Sequence, residues 1–423
     1  MRCTILAIGS RGDVQPLIAL GAGLRASGAR VRLATHRDFL DAVTAAGLEF
    51  APIEGQAASF GAGPAGRAFR DRVSNVARFQ RFVDSYLALF FTRLLRDAWQ
   101  ASEDADVVLS WTMCAASLAE RLRVPVFNAG LAPALYFPTS AFANPVHDAP
   151  VGTGPAANRR SWRHGLATIR IGEAQVNAWR TTTLGLAPLS WRPHVRALRR
   201  LPHLFGYSPH VLPRPADWPA WAHVTGYWFL DDAPRYTPPR ELQAFLDAGP
   251  PPIAIGFSSQ VGDDAVTLTR TVMEAVTEAG QRAIVVTGFG GLKDVTCPPS
   301  VLPVTTVPYD WLLPRVRAMV HQGGAGSTSA AVRAGRPQMA VPFGFDQHLW
   351  GARIEALGIG PAPIPAAALT VSGLAAALTT LDRDEAMRAR AEALGARVRA
   401  EDGIGTAVAL VRDAVTRHQA AGR

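Results

Sequence analysis

The chain has 423 residues, 48% of them hydrophobic and 18% charged, with 38 glycines and 32 prolines. That length suits roughly two to three domains with a sizeable core, and the apolar fraction excludes wholesale disorder. The formal net charge of +9 is carried almost wholly by arginine, which points first to a GC-rich, bacterial coding bias and then to an anionic partner, such as a nucleotide diphosphate or an acidic membrane surface.

Residues 1–9 form an apolar run too short for a targeting segment. They lead into a polar turn instead of a cleavage site, so a first strand over residues 3–8 and a cytoplasmic location are expected. No run reaches the ~18 apolar residues of a membrane-spanning helix. Residues 14–27 have helical spacing through Leu17, Leu20 and Leu24. A strand at 31–34 and a helix at 39–46 follow. Residues 56–66 read as a Gly/Ala-rich loop, and 72–100 as a long amphipathic stretch with Phe79, Phe82, Tyr86, Phe90 and Leu94 on one stripe. That stripe fits a core helix, or else a lipophilic wall or membrane-surface contact. Strands at 107–110 and 124–128 flank a helix at 115–122. Such alternation predicts a parallel sheet covered on both faces.

Residues 138–155 and 201–239 are dense in proline, and the second stretch is expected to connect two domains. A second alternating set follows, with strands at 253–257, 283–287, 318–321 and 338–341 and helices at 265–279 and 327–334. Residues 383–419 read as helical and are expected to fold back on the first domain. Cys3, Cys114 and Cys297 stand far apart without CxxC spacing, so neither a disulfide framework nor structural zinc is expected. No compact basic run with interleaved aromatics suggests nucleic-acid binding.

Two glycine-containing turns carry chemistry. Gly9-Ser10-Arg11-Gly12-Asp13 follows the first strand and lacks GxGxxG spacing. Asp13 there fits helix capping and equally a carboxylate within reach of a ligand hydroxyl. His321-Gln322-Gly323-Gly324-Ala325-Gly326-Ser327-Thr328 again joins a strand to a helix. Its backbone N–H groups, its hydroxyls and the His321 ring suit an anion, and the absence of a Walker lysine excludes an NTPase P-loop. Asp346-Gln347, at the end of a further strand, suits sugar hydroxyls. Together with the His–Gly–Gly turn it reads as a diphosphate-sugar site. Asp104-Ala105-Asp106 matches a metal-binding DxD but precedes a strand, and reads as a solvated entry.

The segments GSRGDVQPLIALG (9–21), VRLATHRDF (31–39), AGLEFAPI (46–53), YSPHVLPRPADWP (207–219), GFSSQ (256–260), VPYDWLLPR (307–315), HQGGAGSTSAA (321–331), VPFGFDQHLWGARI (341–354) and LGIGPAPIP (357–365) occur in this order. In these words the chain resembles the GT-B glycosyltransferases, a family with plant secondary-product and bacterial antibiotic members, and within it most resembles the sterol glucosyltransferase branch. The fold class the resemblance implies is α/β, with two doubly wound Rossmann-like domains facing across a cleft. Residues 1–205 would bind the acceptor, 206–240 link the domains, 241–400 bind the donor, and 401–423 return as a helix to the first domain.

By the same resemblance Asp13 is the catalytic base, where plant relatives have His, and His321 contacts the α-phosphate. Gly326, Ser327 and Thr328 meet the β-phosphate, with Gly323, Gly324, Ser258 and Ser259 also around the diphosphate. Val307 meets the base through its backbone, and Asp346 and Gln347 hold the sugar. Acceptor contacts are expected from Ser10, Arg11, Gly12, Phe60, Phe82, Tyr86 and Phe137. Two departures stand out: Thr306 replaces the base-stacking Trp of plant relatives, and residues 110–114 lack the acid that pairs with their catalytic His.

The activity expected is inverting, metal-independent transfer of a hexose from UDP-glucose or a dTDP-sugar to a hydroxyl of a lipophilic sterol or polyketide-type acceptor, with no cofactor. A peripheral membrane contact and a monomeric or homodimeric state fit the same reading. A nucleotide-sugar 2-epimerase and a non-catalytic nucleotide-binding partner are the alternatives.

Overall fold

The structure, a computed structural model, describes residues 1–55, 88–133, 137–145, 154–168, 172–257, 265–288 and 297–421. The chain divides into one unit of Met1–Leu230 with Asp402–Arg423 and another of Asp231–Glu401.

The first unit runs β1 (Arg2–Leu6), α1 (Arg11–Ala26), β2 (Arg30–Thr35), α2 (Leu40–Ala45), β3 (Glu49–Pro52), α3 (Ala88–Ser102), β4 (Val107–Ser110), α4 (Ala115–Leu122), β5 (Val126–Gly130), α5 (Pro155–Thr168), α6 (Glu173–Thr182), α7 (Trp191–Arg200), β6 (His203–Phe205) and β7 (Ala222–Val224). Its seven strands lie in the order β3-β2-β1-β4-β5-β6-β7, every pair parallel. Parallel strands are covered on both faces, which is why β4 reads as a short, nearly unbroken apolar run and β5 is buried at every residue.

The second unit runs α8 (Arg240–Asp247), β8 (Ile253–Gly256), α9 (Ala265–Glu278), β9 (Ala283–Val286), β10 (Val301–Val304), α10 (Tyr309–Leu312), β11 (Ala318–His321), α11 (Ala325–Arg333), β12 (Gln338–Ala340), α12 (Gln347–Ala356), α13 (Val371–Arg383) and α14 (Glu385–Arg399). Its parallel sheet has the order β10-β9-β8-β11-β12. In each sheet the order reverses beside the first strand, between β1 and β4 and between β8 and β11. The carboxyl ends at such switch points are where open α/β sheets bind ligands.

The proline-dense 201–239 stretch differs from the connector expected of it. His203–Phe205 and Ala222–Val224 extend the first sheet as β6 and β7, so the first unit continues to Leu230. Three-residue strands are too short to show periodicity. Pro202 and Pro219 flank them instead of interrupting a ladder, as prolines at a sheet edge can. The Pro202 carbonyl accepts from Asn128 N–H at 2.9 Å.

The C-terminal stretch also divides further than its composition suggests. Asp384 caps α14 through the Met387 N–H at 2.8 Å. Only α15 (Gly403–Ala421) rejoins the first unit, beginning where Asp402 accepts from Gly405 N–H at 2.7 Å. Ala407, Val411 and Val415 of α15 enter the core cluster with Leu17, Leu20 and Leu24 of α1, and Gly23 lets Ile404 approach the α1 backbone. Val411→Ala should therefore lower stability by about 2 kcal/mol, the cost of two buried methyl groups and the cavity they leave. Thermal melting checks this, and an unchanged midpoint would contradict the docking.

Candidate functional site

In the first unit, the turn after β1 is built on a reciprocal cap. Ser10 is the N-cap of α1 and Asp13 its third residue. The Ser10 N–H and Ser10 hydroxyl both donate to Asp13 Oδ2, at 2.8 Å each. Gly9 has φ +130°, and a Cβ there would lie 2.5 Å from the same oxygen, so only glycine fits. The capping role considered for Asp13 is thus real, although Ser10 holds the cap position. It engages Oδ2 and leaves Oδ1 without a partner among the described residues. Asp13 is reachable by solvent yet crowded by protein atoms. Desolvation raises its pKa above the usual carboxylate value, outweighing the two Ser10 hydrogen bonds that pull it down. Gly12 is exposed, and exposed Arg11 reaches Gln15 Oε1 at 3.2 Å.

In the second unit, the turn after β11 is held from beneath. Gly323 N–H donates to His321 Nδ1 at 2.9 Å, which leaves Nε2 as the protonated nitrogen, donating to Gln338 Oε1 at 2.8 Å. Gln338 Nε2 lies 3.5 Å from the Thr328 carbonyl in the first turn of α11. His321 and Gln338 are both fully buried. Burial pushes the His321 pKa down to about 4, so the ring is neutral at physiological pH. The expected donation from the His321 ring to a phosphate is not part of this arrangement. Both ring nitrogens are occupied by protein, and the histidine fixes the glycine turn instead.

Above that support, Gly324 caps α11. The N–H groups of Ala325, Gly326 and Ser327 open the helix without helical acceptors. Ser327 and Thr328 are buried, and Thr328 Oγ1 has no hydrogen-bond partner among the described residues. The acid–amide pair is adjacent. A Cβ on Gly323 (φ +84°) would stand 2.8 Å from the Gln347 carbonyl oxygen, so the two motifs touch through backbone.

Gln347 Oε1 accepts from Phe343 N–H at 2.7 Å, and Asp346 Oδ2 accepts from Trp350 Nε1 at 2.8 Å. Phe345, just before them, sits at φ +57°. That conformation is strained for a bulky residue and turns the chain into α12. The Val307 side chain is buried in a cluster with Trp311 and Leu312, while Thr306 is exposed.

Other expected residues fall elsewhere. Phe137 is buried, 4.4 Å from the His203 ring and 6.0 Å from Trp218, so it is a core residue and not an exposed acceptor contact. Phe60, Phe82, Tyr86, Ser258 and Ser259 lie outside the described residues. Asp104 pairs with Arg32 at 2.7 Å and Asp106 with Arg2 at 3.3 Å, at the amino edge of the first sheet and away from its switch-point end.

Sequence reasoning missed Gln338, whose signal was a polar residue inside the buried β12 run. It also missed Asp217, which accepts from Thr139 Oγ1 at 2.7 Å and from Ser140 N–H at 3.0 Å. Trp218 beside it donates to the Phe137 carbonyl at 3.2 Å. Desolvation acts to raise the Asp217 carboxyl, but the Thr139 and Ser140 bonds outweigh it and its pKa lies below the usual range. The pair fastens the segment after β5.

A histidine kept neutral by burial contributes stability fully above its unfolded value near 6.5, and loses it as pH falls toward about 4. The melting temperature should drop over that window. His321→Asn should remove part of the slope, with His36, His194, His203 and His223, each also lowered by burial, contributing to what remains. Identical slopes in both proteins would contradict the assignment.

Comparison with known proteins bears out the resemblance seen in the sequence. Residues 3–133 match the Glycosyltransferase family 28 N-terminal domain, and residues 270–409 match the Erythromycin biosynthesis protein CIII-like C-terminal domain. The chain is 37% identical over 98% of its length to a sterol 3-beta-glucosyltransferase of Emericella nidulans and 36% identical over 98% to one of Aspergillus terreus. It spans 30% of the length of each of these relatives. Both are fungal, so a bacterial origin finds no support in them.

The fold is that of GT-B glycosyltransferases. The kitacinnamycin glycosyltransferase superposes with a TM-score of 0.72 at 20% identity, covering 98% of this chain and 99% of that one. The glycosyltransferase VinC, solved in complex with DTDP, gives 0.64 at 19% identity, covering 99% and 100%. No helix among the described residues is long and apolar enough to cross a membrane.

Proposed function

We propose that this chain, with its family 28 N-terminal and CIII-like C-terminal domains, transfers a hexose from a nucleoside diphosphate sugar to a hydroxyl of a lipophilic acceptor of the sterol or polyketide type. The observation that carries the reading is the second unit's turn. A glycine loop fixed by a buried neutral histidine abuts an acid–amide pair, and a buried hydroxyl with no partner among the described residues, Thr328 Oγ1, stands at the same helix start. Names of the relatives support the same class, sterol 3-beta-glucosyltransferases among them.

The first unit supplies the base. Asp13, with Oδ1 unengaged, takes the proton of the acceptor hydroxyl as its oxygen attacks the anomeric carbon. Attack opposite the leaving group inverts that carbon. The diphosphate departs with its bonding electrons and gains negative charge. The N–H groups of Ala325, Gly326 and Ser327, the Thr328 hydroxyl and the α11 dipole stabilise it. One well-placed donor of this kind contributes about 3 kcal/mol to the transition state. This arrangement covers the role a metal ion plays in other glycosyl transfers, so the reaction is read as metal-independent. Asp346 and Gln347 hold the sugar hydroxyls, with the Gln347 amide N–H groups donating because its oxygen is committed to Phe343.

Mass spectrometry of a pooled acceptor library, incubated with UDP-glucose and several dTDP-sugars, tests the reading. An acceptor gaining one hexose is the expected result. A sugar altered without acceptor would indicate epimerisation and overturn it. Asp13→Asn should lower kcat about 10²–10⁴-fold while donor affinity is kept. Because the folded pKa of Asp13 is raised, the base is lost as pH falls through a value above that of an ordinary aspartate. The acid limb of kcat/KM should lie correspondingly high, and a limb at the ordinary position would contradict Asp13 as the base.

A further inference from the structure

The positive charge of this chain is not spread along it. Residues 149–216 hold ten arginines and a single acidic residue, Glu173, with no lysine or aspartate. That surplus equals the net charge of the entire chain, so acid and base balance everywhere else. A coding preference for arginine acts on the whole sequence and does not gather its surplus into about a sixth of it.

The structure separates the structural arginines from the rest. Arg180 is buried and donates to Glu120 at 2.9 Å and Ser117 at 3.0 Å. Arg214 donates to the carbonyls of Ala222, Trp218 and Pro219. By contrast Arg192, Arg196 and Arg200 on α7 are exposed, opposite the buried His194, Val195 and Leu198. None of the three has an ion-pair partner among the described residues. At ~100° per residue they fall within an arc of about 80°. Glu173, the lone acid, is turned to the start of α7, where it accepts from Trp191 N–H at 2.9 Å. Trp221, 45% exposed, donates its indole N–H to the Arg199 carbonyl at 2.9 Å. A large aromatic therefore stands at the C-terminal end of the arginine stripe.

We propose that the arginine face of α7, with Trp221 beside it, is a docking surface for an anionic lipid bilayer. Arginines on one helix face attract acidic headgroups, and an exposed tryptophan settles at the headgroup level. A bilayer fits better than a nucleic acid because the stripe is one short helix with an apolar edge, not a groove with stacking platforms. This goes beyond the glycosyl-transfer reading and rests on it only in that a lipophilic acceptor resides in such a bilayer.

Co-sedimentation of the full chain, without donor or acceptor, tests the surface. Vesicles of phosphatidylcholine with about 30% phosphatidylserine should retain the protein at low salt and release it at high salt, while pure phosphatidylcholine vesicles should not retain it. Replacing Arg192, Arg196 and Arg200 together by Ser should weaken binding on the order of 100-fold, about fivefold for each arginine. Trp221→Ala should weaken it independently. A control removing Arg30, Arg240 and Arg270, exposed residues of the charge-balanced remainder, should leave it unchanged. Retention that survives the triple substitution, equal binding to neutral vesicles, or capture by single-stranded RNA without vesicle binding overturns the proposal. Because sedimentation needs no turnover, its failure leaves the acceptor-library result standing, and the converse also holds.

Discussion

A glycine-rich turn can offer N–H groups to a diphosphate only if something else holds it open. Here that constraint is met by a chain of hydrogen bonds lying wholly inside the second unit, from Gly323 N–H to His321 Nδ1 and from His321 Nε2 to Gln338. Its strength comes from burial. A neutral ring in a low-dielectric interior keeps one nitrogen as acceptor and the other as donor, so the tautomer and the turn fix each other. The same burial that commits both ring nitrogens to protein lets the ring position the N–H groups at the start of α11.

The first unit solves a related problem with fewer parts. Under the proposed mechanism Asp13 both closes the α1 cap and takes a proton, and its two oxygens divide these tasks. Ser10 engages Oδ2 from both its N–H and its hydroxyl. That contact fixes the carboxylate, and residues 110–114 place no acid behind it. Ser110 instead contacts Thr112 Oγ1 at 2.8 Å, and the Cys114 thiol lies 2.6 Å from the same Thr112 oxygen.

How much of this was legible in the sequence depended on the range of the interaction. Alternating apolar runs and helical spacings placed β1, β2, β4, β8 and β11, because their burial is written into consecutive residues. The two turns were legible because glycine and hydroxyl residues cluster at strand ends. His203–Phe205 and Ala222–Val224 were not, since three residues among prolines carry no period and only the neighbouring strands make them strands. The engagement of the His321 ring by protein was not legible for a similar reason. Its partner Gln338 is 17 residues away, and the competition between ligand and protein for a ring nitrogen is settled by packing. Phe137 was expected as an acceptor contact, yet Trp218 and His203 enclose it. The arginine surplus was visible as a total, but its confinement to one stretch gained meaning only when α7 showed which guanidinium groups lack an ion-pair partner among the described residues.

The central claim is that the second unit binds a nucleoside diphosphate through the start of α11 while His321 stays bound to its own protein. A crystal structure of the chain with UDP tests this most directly. The account predicts phosphate oxygens at ~3 Å from the N–H groups of Ala325, Gly326 and Ser327 and from Thr328 Oγ1, with the His321 bonds to Gly323 and Gln338 intact. A diphosphate seated elsewhere, or a His321 ring released from Gln338 to take a phosphate oxygen itself, would contradict it.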